Sequence, residues 1–265
     1  MIDARDFYDG LGPEYDRMVA WEGRLAREET FFRGLFADAG ARSVLDAACG
    51  TGMHAISFAR LGLRSAGADL SPVMIEKARQ NAAVAGVSVG LHVAGFGGIA
   101  PIAPGPFDAV TCLGNSLPHL TTDAELAGCL EDFRRLLAPG GLLVVQNRNY
   151  DRLLRERQRF MPVAARGAGE GETLFLRITD YPPPDARPDD AITFTLLTLT
   201  RTGGAWRQVT RSTPLRALRR ATLEAALRAA GFAELAIFGG YDRGPAEADD
   251  AADLVVVARA PKASG

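Results

Sequence analysis

Cysteine is scarce in this 265-residue chain: only Cys49, Cys112 and Cys129 occur, too few and too scattered for a disulfide framework or a cysteine-based metal site. The expected setting is a reducing cytoplasm, with Cys49 and Cys112 as small hydrophobes at strand ends. Long apolar runs are missing too. No stretch approaches the roughly 18 residues that span a bilayer, so no membrane role is expected. The first residues, Met1-Ile2-Asp3-Ala4-Arg5-Asp6, place acids where an export signal would carry positive charge. A surplus of positive charge is likewise lacking. Thirty basic side chains face 32 acidic ones for a net charge of −2, which supplies no field for gripping nucleic-acid phosphates.

What remains is an ordinary globular composition, 47% hydrophobic and 23% charged, with enough chain for a sizeable core. Residues 14 to 37 space Tyr15, Met18, Trp21, Leu25, Phe31, Phe32 and Leu35 at helical intervals, which predicts one or two helices. Tyr15 and Trp21 are expected to pack these helices on the core, a cofactor lid being the alternative. Ser43 to Cys49 is an apolar run of strand length, followed by Gly50-Thr51-Gly52 and a helix through Ile56, Phe58 and Leu61. A second short strand ends at Asp69. Ser71-Pro72 then opens a helix with a good N-cap and a proline at its first position.

Strands are expected at 87–93, 107–113 and 142–147, with a helix over 123–138 that Pro139-Gly140-Gly141 terminates. Strands alternating with helices at this spacing imply a doubly wound, mostly parallel sheet. From about 172 to 213 the pattern changes to β-branched and aromatic alternation, predicting a small antiparallel insertion punctuated by Pro182-Pro183-Pro184 and Thr202-Gly203-Gly204. A helix over 214–230, a strand near 234–241, an acidic loop at Glu247 to Asp253 and a last strand at 253–258 complete the reading, the last two strands pairing antiparallel.

Ligands of open parallel sheets bind beyond the carboxyl ends of the strands. Asp46, Gly50, Gly52, Asp69 and Asn115 all fall at such ends. Asp69 follows Gly50 by 19 residues, a spacing that suits an acid bonding a ribose diol. Gly50-Thr51-Gly52-Met53-His54-Ala55 also satisfies the loose dinucleotide pattern, so an NAD-dependent dehydrogenase stands as one reading. Asp46 argues the other way. A carboxylate beside the glycine loop repels a diphosphate and attracts a cation.

The run Val44 to Gly52 and the run Gly67-Ala68-Asp69-Leu70-Ser71 resemble the first two motifs of class I S-adenosylmethionine-dependent methyltransferases. Phe107 to Val110, Leu113-Gly114-Asn115-Ser116-Leu117-Pro118-His119-Leu120 and Asn147-Arg148-Asn149-Tyr150-Asp151 resemble their glycine and sarcosine N-methyltransferase branch. The resemblance implies a Rossmann-like seven-stranded sheet. It divides the chain into an N-terminal helical lid (1–40), a cofactor-binding core (41–150), an antiparallel β insertion over the acceptor site (151–213) and a return to the core (214–265).

It also implies S-adenosylmethionine as cofactor, S-adenosylhomocysteine as product and a small-molecule acceptor, with no metal. Asp69 would hold the ribose hydroxyls, Gly50 and Gly52 the amino-acid end, Arg24 the cofactor carboxylate and Leu113 a backbone contact. Asp46, Ala48, Leu70, Met74, Gly95 and Phe96 complete the expected cofactor site. Gly95 stands where many relatives have an acid for the adenine amino group, with Phe96 beside it to stack near the base. Asn115 and Arg148 match positions that grip an acceptor carboxylate, a task an Arg fork and an amide suit. Asn115 could equally be a helix cap, Arg148 a surface partner of Asp151, and His119 either a catalytic base or a packing residue. Phe175 and Phe194 predict an acceptor pocket more apolar than a glycine-specific one. An O-methyltransferase of secondary metabolism and a non-catalytic cofactor-binding module remain as alternatives.

Overall fold

The computed structural model describes residues 2–183, 191–244 and 251–262. Three helices precede the first strand: α1 (Ala4–Asp9), α2 (Gly12–Val19) and α3 (Trp21–Asp38). The expectation was one or two from residue 14. The Asp3 side chain caps α1 by accepting the Asp6 N–H, and Ala20, left-handed at φ 55°, divides α2 from α3.

The core then alternates as β1 (Ser43–Ala47), α4 (Met53–Arg60), β2 (Arg64–Asp69), α5 (Pro72–Ala85), β3 (Gly90–Val93), β4 (Phe107–Cys112), α6 (Asp123–Leu136) and β5 (Leu137–Arg148). A helix α7 (Tyr150–Glu156) leads to β6 (Ala164–Arg166), β7 (Thr173–Asp180), β8 (Ala191–Thr202) and β9 (Ala205–Arg216). The chain returns through α8 (Arg220–Ala229), β10 (Ala233–Phe238) and β11 (Asp253–Arg259). Seven strands form one sheet in the order β10-β11-β5-β4-β1-β2-β3, parallel except for β11, which runs antiparallel to both β5 and β10. The doubly wound, mostly parallel sheet read from the sequence is therefore present, and so is the antiparallel final pair.

Each central strand is buried on both faces, as parallel sheets covered by helices require. Leu143 and Val145 of β5 enter one core with Leu126, Leu130 and Phe133 of α6 and Leu223 and Leu227 of α8. Leu142 and Val144 point the other way, to Phe31, Phe32 and Phe36 of α3 and Phe58 of α4. Strands β6 to β9 make a separate antiparallel sheet. It does not stand alone: Phe175 and Leu196 pack on Phe7 and Leu11 from the N-terminal helices. Tyr150 and Leu153 of α7 share a second cluster with Ile192 and Leu215.

Several boundaries differ from the sequence reading. β5 begins directly after α6, and Pro139-Gly140-Gly141 lies inside it as an irregularity, between the Phe107–Leu137 and Ala109–Leu142 pairs. β9 extends to Arg216, pairing Pro214 with Thr193, so the last helix starts at Arg220 rather than 214. β3 starts at Gly90, not 87. α7 was not foreseen, although Asn149 caps it by accepting the Arg152 N–H at 3.1 Å. Pro184 and residues 247–250 of the acidic loop lie outside the described residues. No described helix is long and apolar enough to cross a membrane.

Candidate active site

The turn after β1 is built on positive φ angles at Ala48 (63°), Gly50 (54°) and Gly52 (80°). This winding leaves the Gly50 N–H pointing at β2, where it donates to Asp69 Oδ2 at 2.8 Å. The other Asp69 oxygen accepts the Ser71 N–H at 2.9 Å. Ser71 in turn caps α5 by accepting the Met74 N–H at 3.0 Å, and its hydroxyl bonds Asp9 of α1. Burial raises the pKa of Asp69, while its two backbone bonds work against that rise. A Cβ on Gly50 would meet the Tyr15 ring at an ordinary contact distance of 3.6 Å, so it is the left-handed φ of 54° that calls for glycine here.

Above this turn lies a cavity of about 270 Å³. Ala48, Gly50 and Asp69 form its base, Leu70, Met74, Gly95 and Phe96 one wall, Leu113 and Gly114 another, and Tyr8, Tyr15 and Trp21 its roof. Arg24 also lines it. Its Nε donates to Glu28 Oε1 at 2.8 Å, and Glu28 Oε2 lies 2.6 Å from His54 Nε2. Burial opposes the charge of Glu28, but His54 and Arg24 overcome it and hold the carboxyl below its ordinary range. Arg24 is anchored reciprocally, burial being outweighed by Glu28.

A second cavity of about 390 Å³ adjoins the first and shares Tyr8, Tyr15, Arg24, Gly114 and His119 with it. It runs between the main sheet and the insertion, reaching Asn115, Gln146, Arg148 and Tyr150 on one side and Met161, Arg177 and Phe194 on the other. Asn115, at φ 67°, accepts the Arg148 N–H on Oδ1 at 3.0 Å and donates from Nδ2 to the Tyr150 hydroxyl at 3.0 Å. Gln146 accepts the Gly114 N–H at 2.8 Å and donates to Asp253 at 2.9 Å. These bonds hold the β4 turn open at the junction of the two cavities.

Of the residues singled out from sequence, Ala48, Gly50, Asp69, Leu70, Met74, Gly95, Phe96 and Leu113 line the first cavity, Asn115 and Arg148 the second, and Arg24 and His119 both. Asp46 and Gly52 line neither. Asp46 is 1% exposed, with its carboxylate turned to β4, where it accepts the Thr111 hydroxyl at 2.8 Å. Gly52 packs against Ala78, whose Cβ would stand 2.9 Å from a Cβ placed there. Asn115 is not a helix cap with a side-chain bond, and Asp151 bonds the Arg220 N–H rather than Arg148. Phe175 is buried beneath the insertion, away from the cavity wall, so only Phe194 lines it. The wall is also more polar than expected, since Tyr8, Tyr15, Tyr150 and Tyr241 line it. Tyr8, Glu28, Gln146, Arg177 and Asp253 had no local signature in the sequence. Among the described residues no cluster has the make-up of a metal site.

Burial pushes Asp46 up to about 6, with Thr111 and His54 acting against that shift. A folded-state pKa above the unfolded one means the native protein holds the proton more tightly. Stability is then greatest below the unfolded value and falls as pH rises to about 6. Asp46→Asn, which keeps an acceptor for Thr111, is expected to remove this penalty, on the order of 3 kcal/mol. Thermal melts across pH should show the variant more stable at neutral pH and level with wild type in acid; equal melting at neutral pH rules the penalty out.

The comparisons agree with this architecture. Residues 44–141 match the methyltransferase domain family. The glycine/sarcosine N-methyltransferase of Parasynechococcus marenigrum is 36% identical over 150 residues, 57% of this chain and 53% of that protein. The chain thus spans about half the length of the curated relatives it matches. An S-adenosylmethionine-dependent methyltransferase from Clostridium acetobutylicum superposes with a TM-score of 0.77 at 16% identity, covering 96% of this chain and 99% of its own. The sugar N-methyltransferase KedS8 from Streptoalloteichus superposes with a TM-score of 0.68 at 26% identity, covering 94% and 92%. The resemblance read from the sequence is borne out: residues 44–141 match a methyltransferase domain, and the fold is shared with a solved S-adenosylmethionine-dependent methyltransferase.

Proposed function

We propose that the chain is an S-adenosylmethionine-dependent methyltransferase acting on the amine of a small acceptor with an anionic group. The observation that carries this reading is the Gly50–Asp69 bond. In a dinucleotide site the loop N–H groups face a pyrophosphate; here the Gly50 N–H is spent on a carboxylate, and that carboxylate faces the cavity. A diphosphate is repelled, and a ribose diol finds an acceptor. The residues fit the cofactor from end to end. Asp69 would take the ribose hydroxyls, Leu70, Met74 and Phe96 the base, and Arg24, fixed by Glu28, the carboxylate.

When bound, S-adenosylmethionine supplies an electrophilic methyl group on a sulfonium. The protein's share is to align the acceptor nitrogen with that methyl and to exclude water, contributions that reach about 7 to 11 kcal/mol in well-oriented systems. Tyr8, Tyr15 and Gly114, at the junction of the cavities, border the reacting centre. Arg148 holds the acceptor's anionic group, with Asn115, next to Gly114, offering its remaining amide hydrogen.

His119 is not suited to be the base. Burial pulls its pKa down to about 4, whereas an alkylammonium lies near 10. Proton transfer to it is uphill by roughly 8 kcal/mol. The amine therefore enters deprotonated, and the neutral imidazole, 3.1 Å from the Tyr8 hydroxyl, orients that hydroxyl at the junction. The same weakness disfavours an alcohol acceptor, which needs a base to leave it an alkoxide. His119→Gln is expected to lower kcat no more than about threefold and to leave the acid limb of the pH–rate profile in place; loss of that limb makes the histidine the base.

Titration with S-adenosylhomocysteine and with NADH separates a methyltransferase from a dehydrogenase. Release of S-adenosylhomocysteine with glycine, sarcosine, dimethylglycine and aromatic acceptors then separates an N-methyltransferase from an O-methyltransferase and from a silent binding module.

A further inference from the structure

The far end of the acceptor cavity holds one guanidinium more than a single carboxylate requires. Arg177 stands on β7, in the insertion, and faces the same space as Arg148 on β5. Met161 joins the two: its N–H donates to the Arg177 carbonyl at 3.1 Å, and its sulfur accepts from Arg148 Nη1 at 3.3 Å. The buried Nε of Arg177 has no hydrogen-bond partner among the described residues, and Nη2 makes only a long contact, 3.4 Å, to the Pro162 carbonyl. Burial, with Arg148 and Arg166 adding to it, depresses the Arg177 pKa.

The charges around the cavity do not balance. Arg24, Arg27, Arg148 and Arg177 face Glu28 and Asp253. Glu28 is committed to Arg24 and His54. Asp253 accepts from Gln146 and is the cross-strand neighbour of Arg148, so it already offsets that residue. Among the described residues Arg177 has no carboxylate. A buried cationic N–H without an acceptor is costly, and an anion entering the cavity removes the cost.

We propose that Arg177 joins Arg148 in binding the anionic end of the acceptor, and that this end carries two negative charges, as a dicarboxylate or a phosphoryl group does. The word acceptor rests on the methyl-transfer reading; the anion site does not, and it can be tested without turnover. Calorimetry on the full chain with acetate, malonate and inorganic phosphate provides the test. Malonate is expected to bind wild type about tenfold more tightly than acetate, the value of one charge-assisted pair. Arg177→Gln removes that preference while acetate and S-adenosylhomocysteine bind as before. Arg177→Lys, which retains charge without the fork, keeps part of the preference and decides the matter if the glutamine variant fails to fold. Equal binding of acetate and malonate by wild type, or a preference that survives both substitutions, overturns the proposal. Phosphate binding more tightly than malonate assigns a phosphoryl end, and the reverse a dicarboxylate; each upholds the clamp. If these results hold but S-adenosylhomocysteine does not bind wild type, the methyl-transfer reading fails and the anion site stands.

Discussion

Asp69→Ala is expected to lower S-adenosylhomocysteine affinity at least about a hundredfold without unfolding the protein. Hydrogen bonds to a charged acceptor contribute about 1.5–3 kcal/mol each, so losing the acceptor for two ribose hydroxyls corresponds to two to four orders of magnitude in affinity. The substitution also frees the Gly50 and Ser71 N–H groups, which now fix the cavity base. Folding stability responds less. The two lost backbone bonds are offset by removal of a carboxylate whose pKa burial has raised. The diagnostic result is therefore a near-native melting temperature with cofactor binding gone. Asp69→Asn separates shape from charge, keeping an acceptor but adding a donor toward the Gly50 N–H. Undiminished affinity in the alanine variant, measured by calorimetry, places the ribose elsewhere and removes the basis for the first cavity.

The part of the fold around this residue was legible because its signals are local. Val44, Leu45 and Ala47 form the continuous apolar run of a doubly covered parallel strand, Gly50 marks the turn, and Ser71-Pro72 marks the next helix. The spacing from Gly50 to Asp69 is fixed by one helix and one strand, so it survived intact into the structure. Asp46 shows the limit of such reasoning. Its place at a strand end suggested the cavity, but in the pleat it shares a register position with Thr111 of β4 and turns into the sheet. Spacing along a strand locates a residue without saying which face it takes. The roof was harder still. Tyr8 sits in a six-residue helix too short for periodicity to reveal, and Arg177 meets Arg148 only because two sheets fold together. Phe175 and Phe194 fall on adjacent strands and both join the cluster around Phe7, yet Phe175 is fully buried within it while Phe194, at its edge, also lines the cavity.

Arg148→Ala is expected to raise the acceptor KM by about ten- to a hundredfold, with kcat within a few fold of wild type and cofactor affinity unchanged. Arg148 lines the second cavity and not the first, so its loss leaves Asp69, Arg24 and the glycine turn untouched. Its guanidinium bonds Met161, which lines the second cavity alone, rather than any residue that the two cavities share. An interaction of that kind is made equally in the ground and transition states, and its removal appears in KM alone. Arg148→Lys should recover only part of the loss, because an ammonium cannot present two parallel donors to one carboxylate. Removing one of two neighbouring cations relieves Arg177, whose pKa Arg148 depresses, and takes a counter-charge from the buried Asp253; these effects oppose each other, so the melting temperature should change little. This separates the prediction from general damage. A fall in kcat with KM unchanged moves Arg148 from acceptor binding to the reacting centre. Unchanged kinetics with a carboxylate-bearing acceptor leaves the anionic wall without its main support.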